Sequence, residues 1–303
     1  MSTADAFTSD TSTAYRGRFA PSPTGPLHLG SLIAALASYL DARHSSGTWL
    51  VRMEDLDPPR EEPGAARKIL DSLIAHGLTW DGDVLWQSQR HAAYQEALKA
   101  LAGSHKTFAC TCTRAQIGPD GYCGGGCNGL APTGIPFATR VRVPVNTVVR
   151  FEDKLQGQHT ERLGTTLKDF VLLRKDGLFA YQLAVVVDDA HQGITHVVRG
   201  SDLLDSTARQ IFLQQQLGLA TPAYSHIPVL LNDEGQKLSK QNQAPALDDS
   251  RAPSNLRVAL GFLNQRKPPE TDSVSTILAH AITHWDAGAL PRSDALYPVL
   301  YPP

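Results

Sequence analysis

Four sets of side chains in the chain suit the binding of phosphates, carboxylates or a soft metal ion. The first is Arg18-Phe19-Ala20-Pro21-Ser22-Pro23-Thr24-Gly25-Pro26-Leu27-His28-Leu29-Gly30-Ser31. Its prolines fix φ and force a turn, and a helix starts after it. A helix start offers unpaired N–H groups and the positive end of a dipole, which attract phosphate. His28, placed by this reading in the first helical turn, can donate to that phosphate. Gly30 lets a flat base approach the backbone. The same residues also suit a Pro-rich turn capping an ordinary core helix. The second set is Asn232-Asp233-Glu234-Gly235-Gln236-Lys237-Leu238-Ser239-Lys240-Gln241. Lysines on such a loop can follow charge developing on transferring phosphates. Taken alone, Lys-x-x-Lys also fits a solvated basic loop.

The third set is Arg18, Arg199 and Glu54. Guanidinium groups carry permanent charge in a planar fork that matches carboxylates. Glu54, in Arg52-Met53-Glu54-Asp55, offers an acid for an ammonium group. Each of these would individually pass for a surface ion pair. The fourth set is Cys110, Cys112, Cys123 and Cys127, all the cysteines of the chain within one short stretch. Four thiolates satisfy a tetrahedral Zn2+ ion. The alternative is a redox or free-thiol cluster. No P-loop is present: Gly129 and Gly134 have that spacing, but Ile135-Pro136 follows where Lys and Ser or Thr are required.

The elements that must position these residues read as an alternation of strand and helix. Arg16–Ala20 is a short strand. Leu29, Leu32, Ile33, Leu36 and Leu40 recur at helical spacing on one face, and Ser45-Ser46-Gly47 ends that helix. Thr48–Met53 is the next strand, which completes a βαβ unit of a parallel sheet. Helices are expected near Pro63–His76, Gln89–Ala102 and Asp205–Gln216, with a further helical segment beyond Pro253. Thr139–Glu152 is strand-rich. Tyr181–Val187 reads as a buried strand and Thr195–Val198 as another. Tyr224–Leu231 is apolar and ends in the Asn232–Gly235 turn. Tyr297–Pro303 reads as extended.

The 303 residues allow one large domain or two smaller ones, with 42% apolar and 19% charged residues, as in an ordinary globular enzyme. The net charge of −2 gives no support to nucleic-acid binding, so any RNA contact must use a local basic surface. No apolar run has bilayer-spanning length. Residues 1–15, rich in Ser, Thr and Ala, read as a disordered extension without the pattern of a secretory signal. The cytoplasm is therefore the expected location.

The first segment resembles the HIGH signature of class I aminoacyl-tRNA synthetases in its glutamyl form, with Ser31 in place of the second histidine. The lysine segment, in the right order downstream, resembles the KMSKS loop, with Leu238 for Met and Gln241 for the final Ser. The resemblance continues through Tyr181–Asp189 and Val198–Asp202, and covers about residues 16–265. It implies a Rossmann-like α/β catalytic domain with a parallel sheet, a zinc-bearing insertion and a short helical C-terminal segment. It also implies glutamate contacts at Arg18, Phe19, Ala20, Pro21, Ser22, Glu54, Tyr181 and Arg199. ATP contacts fall to His28, Gly30, Gly200, Asp202 and Lys240, and catalysis to His28, Lys237 and Lys240. Mg2+ is expected with ATP. The related zinc site has three cysteines and a tyrosine; here Cys123 falls at the tyrosine position, beside Tyr122. One structural Zn2+ per chain is implied.

The expected division is 1–15 extension, 16–108 first catalytic half, 109–180 insertion, 181–245 second catalytic half and 246–303 helical segment. The stretch after Gln241 is too short for a helical anticodon-binding domain. This short form resembles the glutamyl-Q tRNA(Asp) synthetases. Members of that family activate L-glutamate with ATP without tRNA, then attach it to the queuosine base in the anticodon loop of tRNA(Asp). Two alternatives stand beside it: a shortened glutamyl-tRNA synthetase charging the 3′ end, and a non-catalytic RNA-binding paralogue.

Overall fold

The computed structural model describes residues 14–118, 121–123, 127, 133–165, 168–231, 245–292 and 297–298. The lysine segment Asn232–Gln241, with Lys237 and Lys240, lies outside the described residues, as do residues 1–13 of the extension and 299–303. Tyr15, which the sequence reading placed in the extension, is anchored: its hydroxyl donates to Asp41 (2.5 Å) and its ring stacks on His196.

Strand β1 (Arg16–Phe19) leads through the proline turn into α1 (Leu29–His44) and back to β2 (Thr48–Met53), which pairs with β1 in parallel. The expected βαβ unit is thus present. Helix α1 buries residues on most of its circumference, including Leu32, Leu36 and Leu40 at 0% exposure. The sequence showed a single apolar face. The alanines and Ser38 between the leucines let later helices close over the other side. After α2 (Ala65–Ala75), β3 (Leu85–Trp86) extends the sheet in parallel beside β2. Helix α3 (His91–Gly103) then leads away from it.

The next part is antiparallel. Strands β4 (Thr107–Cys110), β5 (Ala138–Val141) and β8 (Phe170–Leu173) form one small sheet in the order β4-β5-β8. Between them, β6 (Val149–Asp153) and β7 (Gly157–Glu161) form a hairpin.

Helix α4 (Tyr181–His191) stands where a buried strand was expected. Val185-Val186-Val187 favours strands, but a short apolar run does not separate a buried strand from a buried helix. Packing decides: the helix buries Leu183, Ala184, Val185 and Val186 and turns Asp188 and Asp189 inward as well. After it come β9 (His196–Gly200), α5 (Leu204–Leu217) and β10 (Ala223–Ile227), with β10 parallel to β9. Strand β6 joins the free edge of β10, so the hairpin extends the main sheet. The short strand β11 (Leu230–Leu231) pairs with β12 (Tyr297–Pro298). Helices α6 (Ala252–Phe262) and α7 (Val274–Thr283) pack on α1.

Strand β1 lies beside β9: the Thr195 N–H donates to the Arg16 carbonyl at 2.9 Å, and the Arg16 N–H donates to Thr195 Oγ1 at 2.8 Å. From this seam the βαβ units run outward in opposite directions, α1 to β2 and α5 to β10. Ligands of open parallel sheets bind in the crevice at the carboxyl ends of strands where the order reverses. Two cores flank it, one around α1, α6 and α7, the other around α4, α5 and β6. Among the described residues, no helix is long and apolar enough to cross a membrane.

Candidate active site

A crevice of about 590 Å³ opens at that seam. Arg18, Phe19, Ala20, Pro21 and Ser22 line it where β1 gives way to the proline turn, and Arg199, Gly200 and Asp202 line it from the end of β9. His28, Gly30, Glu54 and Tyr181 complete the walls. Every candidate amino-acid or nucleotide residue from the sequence that falls among the described residues therefore faces one cavity. A second cleft of about 970 Å³ adjoins it and shares Ser22, Glu54 and Tyr181.

His28 is the N-cap of α1, one residue before the first turn where the sequence reading put it. Its extended backbone ends the proline turn, and its Nδ1 accepts the Ser31 N–H at 3.2 Å. A ring that accepts at Nδ1 carries its proton at Nε2, which lies 3.0 Å from Ser31 Oγ. Gly200 is required by close packing: a Cβ there would collide with the Asp202 carboxylate and approach Val229 Cγ1 to 2.9 Å.

Beneath the crevice lies an ion network that no motif announced. Asp189 accepts from Arg18 Nε at 3.1 Å and from Arg52 Nη1 at 2.7 Å. Arg52 also reaches Gln192 Oε1 (2.8 Å) and Glu54 Oε1 (3.4 Å). Two cations and two carboxylates thus balance. Arg18, expected to be free for a ligand carboxylate, has its Nε edge committed to Asp189. Burial pushes the Glu54 carboxyl above the usual carboxylate range, although Arg52 and Arg18 pull it down. For Asp189 burial also raises, but the two arginines outweigh it and hold the group below its ordinary value.

Arg199 differs. Its Nε donates to His226 Nε2 (2.9 Å), Nη1 to the Tyr181 hydroxyl (3.3 Å), and Nη2 to Thr207 Oγ1 (2.9 Å) and the Leu203 carbonyl (3.3 Å). All of these partners are neutral acceptors. Among the described residues no carboxylate stands within ion-pair distance of this buried guanidinium. It is the surplus positive charge of the crevice, free to attract an anionic group.

The sequence reading missed Arg52, Asp153, Asp188, Asp189 and His226. Asp188 ties α3 to α4 by accepting from Gln87 (2.9 Å), Tyr94 (2.6 Å) and Arg90 (3.1 Å). One signal was available: two consecutive acids directly after an apolar run must either leave the core or find cations within it.

The four cysteines gather at the end of β4. Their sulfurs lie within 4.8 Å of one another, and Cys112 Sγ is 3.6 Å from Cys127 Sγ. This set can hold a metal ion. Tyr122 is 42% exposed and carries the Lys168 ammonium over its ring, whereas Cys123 is buried. The fourth sulfur is therefore available and the phenol has another partner.

A switch-point crevice with a capped helix start on one wall and an anion-seeking arginine on the other defines the catalytic domain of a class I synthetase. The family model for class I tRNA synthetases (E and Q), catalytic domain, matches residues 14–119 and 129–260. A glutamyl-Q tRNA(Asp) synthetase of Pseudomonas fluorescens is 51% identical over 289 residues, 94% of this chain and 97% of that protein. One from Xanthomonas campestris is 53% identical, across 93% and 95%. The structure of a glutamate tRNA ligase from Elizabethkingia meningosepticum superposes with a TM-score of 0.76 at 24% identity, covering 94% of this chain and 67% of that one, a likeness of fold. The chain belongs to the glutamyl-Q tRNA(Asp) synthetase family.

Proposed function

We propose that the chain activates L-glutamate with ATP in the absence of tRNA and transfers the glutamyl group to queuosine in the anticodon loop of tRNA(Asp). The observation that carries this reading is the uncompensated Arg199 guanidinium facing the same crevice as Glu54 and the capped start of α1. Arg199 and Tyr181 take the side-chain carboxylate. Glu54 takes the ammonium, and its ionised form is favoured once that cation arrives. Arg18 and the Phe19–Ser22 backbone complete the amino-acid wall.

ATP lies against His28, Gly30, Gly200 and Asp202, with Lys237 and Lys240 closing on its phosphates. An α-carboxylate oxygen attacks the α-phosphorus, and the bond to pyrophosphate breaks. A hydroxyl of the queuosine cyclopentene ring then attacks the activated carbonyl, and the bond to AMP breaks. No covalent enzyme intermediate is needed; catalysis is positioning and electrostatics. Mg2+ accompanies ATP and screens its phosphates. The adjoining cleft of about 970 Å³ has room for the acceptor nucleoside. This chemistry belongs in the cytoplasm, on a chain divided at residues 15, 108, 180 and 245.

Glutamate-dependent exchange of pyrophosphate into ATP without added tRNA tests the first step; exchange that ignores glutamate would refute it. Lys240→Ala should slow that exchange roughly a hundredfold or more with an unchanged circular dichroism spectrum, since removing one such transition-state contact typically has effects of that size. An undiminished rate would remove the lysine segment from the mechanism.

The cysteine set fits Zn2+, because four thiolates close its tetrahedral shell and leave no open position for chemistry. Cys112→Ser should lower bound zinc from about one per chain to near zero and reduce the thermal midpoint, because the folding of such sites draws on metal binding. Elemental analysis and calorimetry check this; full zinc retention would contradict it.

A further inference from the structure

Arg199 does not hold its own orientation. Its Nε–H points at Nε2 of His226, a fully buried residue on β10. An N–H donor there requires a lone pair on Nε2, so the imidazole proton must sit on Nδ1. Nδ1 lies 2.6 Å from Asp153 Oδ2, which accepts that proton's hydrogen bond. Asp153, at the end of β6, is itself immobilised. Its Oδ1 accepts the N–H groups of Leu155 (3.0 Å), Gln156 (2.9 Å) and His226 (3.2 Å). Thr207 closes the set, with Oγ1 3.2 Å from the same Nε2 and 2.9 Å from Arg199 Nη2. Burial keeps the His226 ring below its ordinary basicity, although the Asp153 hydrogen bond pulls the other way, so the ring is neutral near neutral pH.

This arrangement has a purpose that a direct ion pair would defeat. A carboxylate placed on Arg199, as Asp189 is on Arg18, would occupy the donors a ligand anion needs. With the carboxylate behind the imidazole, the guanidinium is steered while no acid blocks it. We propose that Asp153, through the tautomer it imposes on His226, is a positioning residue that aims Arg199 at the side-chain carboxylate of the amino acid. The inference rests on the reading of the crevice as a glutamate site.

Asp153→Asn isolates the effect. Three backbone N–H groups hold the oxygen at the Oδ1 position, so the amide must turn its NH2 toward His226. The ring then accepts at Nδ1 and carries its proton on Nε2, opposite the Arg199 N–H. Two donors face each other, while the β6–β7 turn keeps its acceptor. In exchange assays the KM for glutamate should rise at least about tenfold, with kcat and the KM for ATP within about threefold, as for a lost ground-state contact. Nitrogen NMR of His226 should report the exchanged tautomer. The double variant Asp153→Asn/His226→Gln should regain most of the loss, since a glutamine amide can turn its oxygen to Arg199 whatever stands at 153. His226→Phe, which removes the acceptor outright, should show the same split as Asp153→Asn. Unchanged glutamate KM in both single variants would overturn the inference, as would an equal rise in the KM for ATP that the double variant does not reverse. Absence of glutamate-dependent exchange in the unaltered chain would instead overturn the glutamate reading itself, and this inference with it.

Discussion

Arg199→Leu raises the KM for glutamate in ATP–pyrophosphate exchange by at least about a hundredfold and leaves the KM for ATP within about threefold, a loss confined to ground-state amino-acid binding. The size follows from the chemistry. A hydrogen bond to a charged partner contributes about 1.5–3 kcal/mol, and about 1.4 kcal/mol is tenfold in affinity, so losing two such bonds to a carboxylate accounts for a hundredfold or more. Leucine also leaves His226 Nε2 and Thr207 Oγ1 without the donor that joins them to β9. Arg199→Lys should recover little, because a point ammonium cannot donate to His226, Tyr181 and a ligand from one rigid plane. Equal losses for glutamate and ATP would mean that Arg199 supports the crevice as a whole and does not select the amino acid.

Asp189→Leu destabilises the chain by about 3–5 kcal/mol, the usual consequence of stripping the partner from buried charge. Arg18 is 4% exposed and Arg52 0%, and both depend on this one carboxylate. Urea unfolding measures the loss; a change below about 1 kcal/mol, typical of an exposed pair, would show that water already compensates the two arginines. The pH dependence has a definite sign. The folded-state carboxyl lies below its ordinary value because Arg18 and Arg52 outweigh the effect of burial. Its contribution is therefore complete above the unfolded value near about 3.9 and is lost as pH falls through the lower folded value. The unaltered chain should lose stability below about pH 4, and Asp189→Asn should show a shallower fall over the same window.

What could be read before folding was local. Leu29 to Leu40 announced α1 through their spacing, Thr48–Met53 announced β2, and the proline turn with His28 and Gly30 marked the crevice because its residues are contiguous. The cysteines were legible as a set for the same reason. What could not be read depends on partners far along the chain. Arg18 meets Asp189 across 171 positions, and His226 meets Asp153 across 73. No local pattern marks an acid as the tether of a remote arginine. Tyr181–Val187 was misassigned because valines carry strand propensity and only the tertiary surroundings, which demand an inward Asp188 and Asp189, favour the helix. His28 was misplaced by one residue, which matters because an N-cap ring faces the dipole end and satisfies a donor there.

The transfer step is the heart of the account, and one experiment addresses it. Labelled L-glutamate, ATP and the chain are incubated with tRNA(Asp) that either carries or lacks queuosine, each with and without its 3′-terminal adenosine. Label should appear on RNA only where queuosine is present, and removal of the terminal adenosine should not reduce it. Label on tRNA without queuosine, or label that disappears with the terminal adenosine, would contradict the proposed function.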